Sequence, residues 1–114
     1  MLSDERVKLR DLDFTVLSED KISEELKTII EEKKAEDFKL TYSDNEHLYI
    51  CIGYGEQQTG GYSIAVNELY LTDSAIYVNT SLLGPEASAS ATQVLSYPYI
   101  VIKTPYLDET VVFE

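Results

Sequence analysis

FKLTYSDNEHLYICIGY, residues 38–54, is the stretch whose reading decides the fold. Phe38, Leu40 and Tyr42 alternate with Lys39, Thr41 and Ser43; Leu48, Ile50, Ile52 and Tyr54 alternate with His47, Tyr49, Cys51 and Gly53. Asp44, Asn45 and Glu46 between them have turn chemistry. Successive strand side chains project to opposite faces, so this period of two around a polar turn specifies a β-hairpin.

Upstream the period changes. Ile22, Leu26, Ile29 and Ile30 recur at helical spacing, with Glu24, Glu25, Lys27, Glu31 and Glu32 on the other side. That is one apolar stripe on an amphipathic helix. Ser18, with Leu17 and Ile22 as a hydrophobic staple, or Ser23, ahead of two glutamates that suit the N-terminal dipole, could cap it, and Ser23 is the favoured one; Lys33 and Lys34 suit its C-terminal end. Each buried aliphatic contributes about 1.5–3 kcal/mol, against about 0.2–0.5 for a surface ion pair, so docking on a sheet decides whether the helix forms. Earlier still, Leu12, Phe14 and Val16 alternate with polar residues and predict a strand from Leu9 with one buried face. Residues 1–8 lack a period and are expected to be a flexible N-terminal arm, followed by a single domain over 9–114.

Downstream the alternation persists. The stretch from Tyr62 to Thr72 switches parity, with Tyr62, Ile64 and Val66 even and Leu69 and Leu71 odd. A strand cannot change face without an extra residue, which predicts a bulge or break at Asn67-Glu68. Asp73-Ser74 turns the chain into a strand carrying Ile76, Val78, Thr80 and Leu82, and residues 83–92 read as a long exposed loop, of which 84–92 is a further candidate for the contact surface. Tyr97–Lys103 is apolar on both faces, with Pro98 at a strand start or edge, and Val111–Phe113 closes the set. The expected class is α+β and mostly antiparallel β. About seven strands form a sandwich or barrel-like sheet, with one N-terminal amphipathic helix packed on it.

Four of the five glycines lie in GYGEQQTGGYS, residues 53–63. Glycine weakens regular structure by about 0.5–1 kcal/mol relative to alanine, so such clustering marks backbone that needs unusual dihedrals or close approach. A phosphate loop fails here, because Gly61 and Tyr62 stand where lysine and a hydroxyl are required after Gly55 and Gly60. The dinucleotide fingerprint fails at Gln58, and no helix follows.

The net charge of −12 opposes phosphate backbones and anionic lipid, which argues against nucleic-acid and membrane-surface partners. No run approaches the ~20 apolar residues of a membrane span, and the N-terminus has no signal-peptide h-region. All nine tyrosines follow residue 40, where Lys103 is the single cation. Tyrosine suits recognition surfaces and half-buried strands alike. The one histidine, His47, and the one cysteine, Cys51, lie on one strand ~13 Å apart, too far for a nucleophilic dyad. No catalytic residue, metal set or cofactor is expected.

GYGEQQTGGYSI (53–64), taken with VLSYPYIVIK (94–103), resembles the C-terminal domain of protease complex subunit PrcB. SEELKTIIEEKK (23–34) is similar to the helix these proteins carry, so the likeness spans roughly residues 23–104. Family members usually have proline before the threonine; Gln58 stands there in this chain and leaves the start of the loop less rigid. The resemblance implies a non-catalytic accessory subunit, exported or in the cell envelope, that associates with a serine-type protease. The loop is also similar to the Thr-Thr-Gly-Tyr loop of chagasin-type cysteine-protease inhibitors, without their Asn-Pro.

The leading expectation is a protein-binding accessory domain whose contact surface comprises Tyr54, Gly55, Glu56, Gln57, Gln58, Thr59, Gly60, Gly61 and Tyr62, supported by Tyr97, Pro98 and Tyr99. A protease inhibitor presenting the same loop and a small-ligand-binding domain are the alternatives. A purely structural reading makes Gly60 and Gly61 a strand-to-strand corner with Tyr62 beneath it.

Overall fold

The computed structural model describes residues 7–86 and 93–114. The α-helix α1, Glu24–Lys33, begins where the cap predicts: the Ser23 hydroxyl oxygen accepts from the Leu26 N–H at 3.2 Å. Ile22, Leu26 and Ile30 are buried, and the charged positions face outward. A short 3-10 turn, Glu19–Lys21, leads into it.

The strands are β1 (Lys8–Asp11), β2 (Thr15–Val16), β3 (Asp37–Ser43), β4 (His47–Tyr54), β5 (Ser63–Thr72), β6 (Ile76–Leu83), β7 (Tyr99–Pro105) and β8 (Val111–Phe113). They form two four-stranded sheets in the orders β1-β5-β6-β8 and β2-β7-β4-β3. Pairing is antiparallel except between β6 and β8. The sheets stack as a sandwich and do not close into a barrel.

Leu48, Ile50, Ile52, Ile100 and Ile102 from one sheet meet Leu69, Ile76 and Val78 from the other in the main core. On the opposite face of β4 and β7, Cys51 and Val101 pack with Ile22, Leu26 and Ile30. Three layers result, helix on sheet on sheet. This is why β7 is apolar on both faces: it is the strand, with β4, that is covered twice.

The expected strand from Leu9 to Val16 is instead two strands in different sheets, which raises the total among the described residues to eight. Leu12 N–H donates to Leu69 O in one sheet, and five residues later Leu17 N–H donates to Val101 O in the other. Of the expected buried face only Leu12 is buried; Phe14 and Val16 are 40% and 50% exposed. Lys8, assigned to the arm, already belongs to β1, and residues 1–6 lie outside the described residues. The helix accordingly follows two strands and does not lead the domain.

The parity switch in β5 is a register shift between Val66 and Glu68. Asn45 takes φ 79° in the β3–β4 turn. There the Asp44 carboxylate accepts from Glu46 N–H at 3.1 Å and His47 N–H at 2.9 Å. Those two bonds, the His47 one first, hold the Asp44 carboxyl below its usual range. A depressed folded pKa means this support is present above the unfolded carboxylate pKa and is lost as pH falls through the folded one.

Candidate functional site

The glycine-rich stretch is the connection from β4 in one sheet to β5 in the other, and backbone hydrogen bonds along it hold its path. β4 ends at Tyr54, whose N–H donates to Pro98 O at 3.1 Å. Gly55 then turns with φ +77°, and a Cβ there would stand 3.0 Å from the Asp37 backbone nitrogen. Glu56 N–H donates to Ala35 O at 3.3 Å, which ties the loop to the chain leaving α1. Gln57 and Ser96 exchange both backbone bonds, at 2.8 and 3.0 Å, and Ser96 Oγ donates to Thr59 O at 2.7 Å. Gly61 turns again at φ +89°, against Pro85, and Gly84 lies against the Tyr62 ring.

Residues 53–63 and 94–103, joined in sequence by resemblance, are thus joined in space by a hydrogen-bonded bridge. On the outside, Tyr97 donates its hydroxyl to Glu56 Oε1 at 3.2 Å, and the Lys34 ammonium lies 5.3 Å from the Tyr97 ring centre. Glu56, Gln58 and Gly61 are exposed, whereas Gln57, Thr59, Gly60, Tyr62, Tyr97 and Pro98 are half-buried.

Two of the expected contact residues and one of the supporting residues make other contacts. Gly55 is buried. Tyr54 packs against the main core, with its hydroxyl 2.6 Å from Thr80 Oγ1 across the sandwich. Tyr99 packs beneath α1, and burial pushes its hydroxyl above the ordinary tyrosine range. Tyr54→Phe is expected to cost about 0.5–1.5 kcal/mol in chemical unfolding. A double-mutant cycle with Thr80→Val should return a coupling of that size, about 0.5–1.5 kcal/mol.

Conversely, residues not named as contact residues in the sequence are presented at this end. Leu83, Val94 and Leu95 are 49%, 64% and 45% exposed. Leu83 pairs with Ser63 just after the loop, and Val94 and Leu95 precede the Ser96 bridge. Their signal was a pair of large aliphatics beside a polar Ala/Ser-rich stretch, which alternation alone assigns to no strand. The expected loop over 83–92 is described only at 83–86, and there Leu83 is the last residue of β6 and not loop.

Cys51 lies in the cluster under the helix, and burial pushes its thiol up to about 12. A thiol held protonated there is a packing group at neutral pH. Native protein is therefore expected to resist thiol reagents at pH 8 and to react stoichiometrically once unfolded, as an absorbance assay with Ellman's reagent would show. The cleft between α1 and the sheet, lined in part by Leu17, Ile22, Tyr42 and Tyr49, measures about 170 Å³. Ordinary small-molecule pockets begin near ~300 Å³. Among the described residues no group of three or more His, Cys, Asp or Glu could hold a metal ion, and no helix is long and apolar enough to cross a membrane.

A family model described as PrcB C-terminal matches residues 48–105, just over half of the chain. The match runs from β4 through β7 and contains both halves of the bridged corner, while α1 lies outside it. No curated protein and no solved structure matches the chain.

Proposed function

The chain belongs to the PrcB C-terminal family, and from that premise we propose that it is a non-catalytic accessory domain that binds a protease-related protein through the glycine-rich corner. The observation that carries this reading is the bridge between Gln57 and Ser96. It spends backbone and side-chain bonds on holding a loop in one shape while leaving Glu56, Gln58, Gly61, Val94 and Leu95 outside. A surface held in its bound shape loses less conformational entropy on association. Residues 54–62, 83–86 and 93–98 together approach the roughly 20–30 residues that each side of a standard interface supplies.

The test is affinity capture from the organism that makes the chain, using the wild-type domain and a Val94→Asp, Leu95→Asp variant. The expected result is a protease-related protein recovered by the first and lost from the second, with both domains melting alike. Equal recovery by the two would remove the corner from the interface.

A further inference from the structure

The strands that end the two sheets are not alike. β2 has two residues, β8 has three, and β1 slips register between Lys8 and Arg10. Short or irregular edges resist pairing with another chain. β3 is different: it pairs with β4 over seven consecutive residues, Asp37–Ser43, with no slip and no proline.

Two bonds establish which way its backbone points. Asp44 N–H donates to His47 O, and on the far side of β4 the Tyr54 N–H donates to Pro98 O. Hydrogen-bonded and non-bonded pairs alternate in an antiparallel ladder. Phe38, Leu40 and Tyr42 therefore bond β4, and Asp37, Lys39, Thr41 and Ser43 direct their backbone N–H and C=O outward. All four are exposed, and among the described residues no strand lies beyond them.

Beside this edge the sandwich is open. A cavity of about 190 Å³ is lined by Ile52, Val78 and Phe113, with Asp37, Lys39 and Glu114 also on its wall. A strand added to β3 would project alternate side chains to the two faces of the sheet. One set meets the cavity, and the other lies beside half-buried Phe38, Leu40 and Tyr42.

We propose that the outer edge of β3 receives an extended segment of a partner protein as an additional strand, with one apolar side chain in the cavity and basic residues flanking it. The backbone ladder supplies affinity and the cavity supplies selectivity, as in other strand-addition complexes. Charge selects the flanks: Glu32, Glu36, Asp37 and Glu114 outnumber Lys33 and Lys39 near this edge. The net charge of −12 on each chain opposes a second copy as the occupant. The edge adjoins the glycine-rich corner where Asp37 pairs with Tyr54, and Gly53 and Tyr54 also line the cavity, but Val94 and Leu95 do not, so substitutions at Val94 and Leu95 leave it unchanged.

The probe is the peptide Lys-Val-Lys-Val-Phe-Val-Lys-Val-Lys, titrated into the whole chain by calorimetry and by amide hydrogen exchange. Binding is expected to slow exchange of the Lys39, Thr41 and Ser43 amides by about tenfold or more, since each gains a backbone acceptor. Thr41→Pro deletes only an outward donor, a place where edge strands tolerate proline. It should weaken binding by about tenfold or more, while Thr41→Ala binds as wild type. Failure of the peptide to bind, binding without protection of those three amides, or undiminished binding by folded Thr41→Pro would overturn the proposal. Self-association of the chain that Thr41→Pro abolishes would assign the edge to a second copy and overturn it equally.

Discussion

Leu26→Ala is expected to lower the unfolding free energy by about 2–5 kcal/mol, the largest single effect anticipated for this chain. Leu26 is 1% exposed and sits between Ile22 and Ile30 on the stripe of α1, over Cys51 and Val101. Alanine is the better helix former, so helix propensity cannot supply the loss. What goes is the packing of α1 on the sheet, and the surrounding side chains refill the space only partly. For a domain whose total stability is of order 5–15 kcal/mol, this is a large fraction. Urea denaturation should show an earlier midpoint with an unchanged slope. Ser23→Ala is the useful comparison: it removes one cap bond and should cost about 1 kcal/mol.

The second large effect is expected at Gly55, and it reaches the site. Gly55→Ala puts a side chain on backbone at φ +77°, with its Cβ 3.0 Å from Asp37 N and 3.3 Å from the Glu36 carbonyl carbon. Neither neighbour is the flexible end of a side chain, so the strand start and the loop must separate. The combined cost of left-handed backbone and crowding is about 2–4 kcal/mol. Gly61→Ala is expected to cost less, about 1–2 kcal/mol, because its Cβ meets the Pro85 ring, at 3.0 Å, where an exposed segment can yield. Thermal melting of the two variants ranks them. Faster amide exchange at Glu56 in Gly55→Ala would show that its bond to Ala35 O has opened.

Much of the fold was legible because burial and period agree. The hairpin at 38–54, the Ser23 cap and the bulge after Val66 each follow from a local pattern that tertiary packing did not overrule. The first strand was not legible as two. Alternation through Leu12, Phe14 and Val16 continues unbroken while the chain crosses from one sheet to the other, and period carries no record of a change of partner.

The site shows the same division. Its glycines announced special backbone, and Gly55 and Gly61 have it. Tyr54 reads as a contact residue and Tyr99 as a supporting one because nothing local reveals that Thr80 lies across the sandwich from the first and α1 above the second. Val94 and Leu95 open the stretch VLSYPYIVIK but are not named there as contact residues, because their exposure depends on the Ser96 bridge and not on their neighbours in sequence.

The central claim is that the glycine-rich corner is the contact surface for a protease-related protein. A photoreactive benzophenone side chain placed at exposed Gln58 tests it most directly, with the same group at Asp73, in the turn at the far end of the β5–β6 hairpin, as the control. Irradiation in the organism that makes the chain, followed by mass spectrometry, should give an adduct with a protease-related protein from position 58 and none from position 73. No adduct from position 58, or the same adduct from both positions, would contradict the account.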